Sequence, residues 1–526
     1  MPIIPLLSVL LAVAAAPADV LEPLGAGAGA ADGVRRALLH GAPYPRTVAE
    51  VRERLTSYGG TLTTHIVANR GHLNPEQGSF SFFETYGGPI PGGRVQAGEL
   101  YLGFFTERRG EVLSVQQDHA RGLVMELIAW DSHKHVFNFW ELIGDGRNSR
   151  WHYRGDSHDI ARDVAEVNTG KRPVSFGARL RCSGCHTLGG PILKELEAPH
   201  NDWWTTAHGL PLGSLALRPQ AEDVGHRLAA ALFARAADAS NLAVLVKRGV
   251  DRLLAAEQSR APSQLRSELR SLFATMEIQL RSDVRPFLER AGDEVQVPVG
   301  FFVDERLLAR GPVKVPARLH REALEATGSR FAPGEAPGLI ESFHAFLVPV
   351  RSYADDRRLE RLRAAGLLDD EFIADVLAVD LTTPVFSEAR ASLLRFVPDA
   401  ASDVADLRRQ LIHALVRATG DAAARELLDN LTRPERTRAF HRARAAAFVE
   451  RCATVARTRA GAVDLIRIAS QRRRELVAAD ISRNPRGLIT EPGFRVIFAE
   501  DALGSVPGAL RLSPATCRAE PPGLTD

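Results

Sequence analysis

The sequence predicts an α+β protein, with an N-terminal antiparallel β-rich region followed by a mostly α-helical second half. Two patterns carry this prediction. Between residues 60 and 155, short apolar and aromatic segments alternate with turn signals. Beyond residue 210, apolar residues instead recur at three- and four-residue steps. The composition is that of a folded chain, with 45% hydrophobic and 25% charged residues over 526 positions.

Along the chain, residues 1–18 read MPIIPLLSVLLAVAAAPA. An apolar run from Ile3 to Ala16, too short for a membrane span, is followed by small residues, with Ala14-x-Ala16 or Ala16-x-Ala18 as cleavage sites: the shape of a secretory signal peptide. Its positive charge is the terminal amine alone. Residues 19–59 are expected to be helical in part. Val34, Ala37 and Leu38, then Val48, Val51 and Leu55, keep a helical period that Pro43 and Pro45 break and Gly59-Gly60 ends.

In the β-rich region, 60–155, the expected strands are Leu100 to Phe105, Val112 to Val115, Leu123 to Trp130 and Val136 to Ile143. Several are apolar on both faces, as central strands covered on both sides must be. In the region 211–526 three helical stripes stand out. The first is Leu265, Leu269, Leu272, Phe273, Met276 and Leu280, behind Pro262-Ser263. The second runs from Val404 to Val416, between Ser402 and Gly420, and the third from about Pro434 to Val455. Residues 295–350 are richer in Pro, Val and Phe and predict loops with a few strands.

Charge excludes some classes of partner. Lys+Arg is 66 against Asp+Glu 64, a formal +2, which gives no general attraction to nucleic acid or anionic lipid. No later segment approaches 18 uninterrupted apolar residues, so the mature chain is expected to lack a membrane span.

The segment 156–210 holds the chemistry. Arg181-Cys182-Ser183-Gly184-Cys185-His186 contains C-x-x-C-H, the attachment signature of haem c. Two thiols three positions apart on one helical turn reach the two vinyl groups on one porphyrin edge, and the adjacent imidazole turns under the ring to ligate iron. With four Cys and sixteen His in 526 residues, shuffling yields this pattern about once in a thousand chains. A zinc site would need a second ligand pair, yet the remaining cysteines, Cys452 and Cys517, stand alone and far from the motif. A thioredoxin-type dithiol would want a longer helix than Gly189-Gly190-Pro191 allows.

Gly189-Gly190-Pro191-Ile192-Leu193 resembles the Gly-Pro-x-Leu segment downstream of the motif in small c-type cytochromes. The resemblance covers about residues 178–205. It implies one covalent haem c held by Cys182 and Cys185, with His186 as axial ligand. It also implies Pro191 as the carbonyl taking the proximal histidine's proton, although its spacing from His186 is shorter than in that family. The expected function is periplasmic electron transfer, with the cytochrome c maturation machinery and a redox protein as partners.

For the sixth iron position the candidates are His200, in a polar loop, and Met276, which its helical stripe also assigns to core packing; Met125, in a predicted strand, has the same packing role as its alternative. An open position is the third alternative. That would suit a haem enzyme, since a β-rich domain ending in C-x-x-C-H loosely resembles the hydroxylamine-oxidising c-type cytochromes, or a haem-based sensor. The lysine such an enzyme cross-links would be Lys134 or Lys171. Trp203 and Trp204 are expected to wall the haem or the core, and Arg179 and Arg181 to meet propionates or solvent. His133 and His135, flanking Lys134, read as a solvated hairpin tip. In an oxidising compartment Cys452 and Cys517 could pair and pin the Pro-rich tail, or remain separate thiols. No phosphate loop, nucleophile elbow or second metal motif marks residues 211–526.

Overall fold

The computed structural model describes residues 21–22, 29–68, 80–105, 123–144, 149–168, 182, 186, 188–191, 239–258, 265–273, 278–281, 294–328, 330–331, 348–384, 387–418, 420–483, 496–497 and 510–521. The fold is α+β, with an antiparallel sheet in the N-terminal part and a mostly helical C-terminal half.

The sheet is built from β1 (Leu21–Glu22), β2 (Thr61–Ala68), β3 (Phe80–Ile90), β4 (Gly93–Val95), β5 (Leu100–Phe105), β6 (Leu123–Asp131), β7 (Val136–Ile143) and β8 (Arg150–Asp156). Its order is β1-β8-β7-β6-β5-β3-β2, with β4 on β3, and every pairing is antiparallel except β1 with β8. β7 explains why these strands read as apolar throughout, since all eight of its residues are buried. Trp140 and Leu142 pack with Met125, Leu127 and Trp151 on one face, whereas Phe137 and Phe139 join Tyr101, Ile128 and Trp130 on the other.

The first face is covered by α1 (Gly33–Ala37) and α2 (Val48–Ser57), whose Val34, Ala37, Val48, Val51 and Leu55 enter its core. Asp32 ties α1 to the sheet. Its carboxylate caps Arg35 N at 3.0 Å and accepts from Asn138 Nδ2 at 2.7 Å and Trp140 Nε1 at 3.1 Å. The second face is covered by α3 (Ser157–Asn168), which follows β8 directly, and by α4 (Ser240–Gln258).

The helical half has its own core, from Leu265 to Cys517. Its helices are α5 (Leu265–Phe273), α6 (Ala317–Ala326), α7 (Tyr353–Ala364), α8 (Asp370–Leu377), α9 (Glu388–Leu393), α10 (Val404–Leu415), α11 (Ala422–Thr432), α12 (Arg438–Val455) and α13 (Arg459–Arg483). Asp369, Ser387, Asp403, Asp421 and Thr437 cap α8 to α12 through their side chains.

Two sequence expectations are corrected here. The stripe from Leu265 to Leu280 is not one helix: α5 ends at Phe273, and Ile278–Arg281 is a strand paired antiparallel with Val348–Arg351. Pairing across this ladder is a long-range gain that local periodicity cannot register. The segment 295–350 also contains a full helix, α6. The expected strand at 112–115 and the signal segment 1–18 lie outside the described residues. No described helix is long and apolar enough to cross a membrane.

Candidate functional site

Cys182 and His186, the described residues of the C-x-x-C-H segment, lie against the second face of the sheet. Cys182 is helical and 5% exposed, and it belongs to the same apolar cluster as Phe139, Ile160 and Leu188. His186 N donates to Cys182 O at 2.8 Å, a single α-turn that brings residues 182 and 186 together. Gly189 N then donates to His186 O at 2.8 Å and closes the turn, so the chain reverses immediately after the histidine.

This reversal orients the imidazole. His186 is 4% exposed, and its Nδ1 lies 2.9 Å from the Gly190 carbonyl oxygen. A carbonyl only accepts, so Nδ1 carries the proton and the lone pair of the neutral ring is on Nε2. The ring packs against Phe139, with centroids 5.4 Å apart and planes inclined by 56°. The accepting carbonyl belongs to Gly190 and not to Pro191. The tight turn after His186 brings the earlier carbonyl round, which corrects the assignment implied by the small cytochromes' spacing.

Three elements hold the loop 188–191. The Ser157 hydroxyl, at the start of α3, donates to Gly189 O at 2.6 Å and accepts from Phe137 N at 2.9 Å. Gly189 has φ +70°, and an added Cβ would stand 2.2 Å from the Ser157 carbonyl oxygen, so only glycine permits this approach. From the other side, α4 presses on Pro191 at Gly249. A Cβ there would stand 2.8 Å from Pro191 Cγ and 2.7 Å from Tyr101 Oη. Tyr101 donates to Leu245 O of α4 at 2.8 Å, and burial raises its pKa.

Beside Phe139 the same face carries ionisable groups. The strand register aligns His65, Phe83, Gly103, Glu126, Glu141 and His152 in one transverse row. Glu141 is buried and accepts from Arg154 Nε at 2.6 Å, while His65 and His152 are buried as well. Sequence reading missed this row, together with Ser157 and Phe139. The alternation of Glu126 and Glu141 with apolar neighbours is a signal for one face, but only the register joins the strands.

The other candidates divide. Met125 is wholly buried on the opposite face of the sheet, in the core with α1 and α2. His133 and His135 are exposed at the β6–β7 turn, where Asp131 Oδ1 accepts from His133 N and Lys134 N, both at 3.0 Å. The Lys134 ammonium lies 3.6 Å from the position of a Cβ on Gly29. Cys185, His200, Met276, Lys171, Arg179, Arg181, Trp203 and Trp204 lie outside the described residues. No family model, no curated protein and no solved structure matches this chain.

The buried residues suit a haem. A porphyrin edge needs apolar cover beside its attachment cysteine, which the cluster around Cys182 offers. An axial histidine needs its second nitrogen engaged, which Gly190 provides.

Proposed function

We propose that this protein is a periplasmic c-type cytochrome that binds one covalent haem c through Cys182 and Cys185, ligates its iron with His186, and transfers electrons. The observation carrying this reading is the hydrogen bond from His186 Nδ1 to Gly190 O within a C-x-x-C-H segment. It fixes the tautomer that presents Nε2 for ligation and makes that nitrogen more basic. Bound haem supplies a one-electron Fe(III)/Fe(II) couple. The chain's contribution is to anchor the ring by two thioethers, to hold the imidazole proton on Nδ1, and to keep water from the histidine with Phe139, Leu188 and Pro191. His200 and Met276 are the proposed alternatives for the sixth position. The disulfide between Cys452 and Cys517 supports an oxidising compartment, where haem c is also attached. The helical half would serve as scaffold or as the docking surface for a redox protein.

A second reading is a haem enzyme with an open sixth position, favoured by the buried His65, Glu141 and His152 on the sheet face whose Phe139 meets His186. Ionisable groups buried beside a cofactor are suited to moving protons.

Co-expression of the full chain with cytochrome c maturation proteins, followed by denaturing extraction, tests the main reading. Haem is expected to stay on the polypeptide and to be lost when Cys182 and Cys185 are both changed to Ala. A chain that leaves the extraction without haem sinks the proposal. A low-spin native spectrum supports the electron carrier, and a high-spin spectrum shifted by carbon monoxide supports the enzyme.

A further inference from the structure

We propose that Ser157 is a positioning residue for the proximal histidine, and that its hydroxyl sets the reduction potential of the iron. This rests on the haem reading above and adds a residue outside the attachment motif, 29 positions before His186 by their numbering.

A chain of hydrogen bonds leads outward from the imidazole to Ser157. His186 Nδ1 donates to Gly190 O at 2.9 Å, so the strength of that bond depends on where the 189–190 backbone sits. Covalently, that backbone is held only by a turn of two glycines and a proline, and glycine is the residue most free to move. Ser157 removes the freedom. Its hydroxyl donates to Gly189 O at 2.6 Å and accepts from Phe137 N at 2.9 Å, which welds the loop to the central strand β7. Phe139, two residues further along β7, packs on the His186 ring. One strand therefore positions both the ring face and, through Ser157, the carbonyl that the ring addresses.

Ser157 is itself buried, 3% exposed at the junction of β8 and α3. Asp156 Oδ1 accepts from His158 N at 2.9 Å and Asp159 N at 3.2 Å, capping the helix start around it. The fit is also close in space, because the Ser157 backbone occupies the place where a Gly189 side chain would be.

The consequence for the iron follows from ligand basicity. A well-aligned Nδ1–H···O=C bond gives the imidazole more anionic character and stabilises Fe(III). Without the Ser157 hydroxyl the loop relaxes, that bond weakens, and Fe(II) gains.

The test uses the matured haem protein and its S157A, S157T and S157C variants. Covalent haem content and midpoint potential are measured, with the iron–histidine stretching frequency of the five-coordinate ferrous form made by photolysis of its carbon monoxide adduct. In S157A haem attachment is expected to persist, with the Fe(III)/Fe(II) equilibrium moving toward Fe(II) by threefold or more and the stretch falling. A tenfold change is about 59 mV for a one-electron couple. S157T, which keeps the hydroxyl, is expected to restore both. Should S157A not accumulate, S157C carries the same test, since a thiol is a similar shape but a weak donor. Its potential should move in the same direction by less. A variant that lacks the hydroxyl but keeps the parent's potential and stretch overturns this proposal and leaves the haem reading standing. A parent chain that binds no haem overturns both.

Discussion

Gly189 turns the chain at φ +70°, with Ser157's carbonyl oxygen 2.2 Å from where a Cβ would be, and this one residue decides whether the loop after His186 can close. G189A must strain the backbone and push Ser157 away at once. A loss of about 2 kcal/mol or more is expected, read by chemical denaturation, together with lower haem yield. Unchanged stability would mean the approach is not tight. His320 in α6 gives a residue-scale pH dependence. Burial, with the Arg321 charge adding to it, pulls its pKa from 6.5 down to about 4. The unfolded chain therefore binds the His320 proton where the folded chain does not. The stabilising contribution is whole above about pH 6.5 and is lost as pH falls toward 4. Melting curves between pH 7 and 4 should show the parent losing more stability than H320Q, which does not titrate. Equal slopes, or a steeper slope for H320Q, would exclude His320 as a source of acid sensitivity.

Among the elements, α4 is the one whose two sides do different work. One side packs Leu242, Val246 and Val250 under the sheet and Gly249 against Pro191, while the other meets α7. There Tyr353 Oη donates to Asp251 at 2.8 Å, and Arg358 pairs with Glu257 at 3.2 Å. G249A separates propensity from packing. Alanine favours a helix over glycine by about 1 kcal/mol. Its methyl would nevertheless stand 2.7 Å from Tyr101 Oη and 2.8 Å from Pro191 Cγ. Net destabilisation is expected. A gain in stability, measured by thermal unfolding, would show that α4 can step back without cost. The strand at Ile278–Arg281 makes the complementary point: its apolar residues kept a helical period, yet pairing with Val348–Arg351 overrode it.

Over the whole molecule, the sheet with its C-x-x-C-H segment and the helical half are built on separate cores joined along α4 and α7. The disulfide between Cys452 in α12 and Cys517 in the tail closes a loop of 65 residues within the helical half. Cutting it with the paired C452S/C517S change should cost about 4 kcal/mol of that half's stability, by the loop-entropy relation. The helical half's thermal unfolding is expected to move to lower temperature. An unmoved transition would mean that the tail is held by its other contacts, such as the Arg518–Asp464 ion pair.

Much of this was legible in the sequence because it is local. Strand and helix classes follow from the period of apolar residues within about ten positions, and the α+β order follows from where that period changes. The C-x-x-C-H segment is local too, since its chemistry depends on residues one helical turn apart. Tertiary structure alone decided which carbonyl receives the His186 proton, because a one-residue difference in the turn moves that role from Pro191 to Gly190. It alone brought Ser157 to the loop and aligned His65, Glu126, Glu141 and His152 in one row. Strand register and close backbone approach are set by contacts between residues tens of positions apart. The burial energy that selects those contacts belongs to the assembled sheet and to no single segment of the chain.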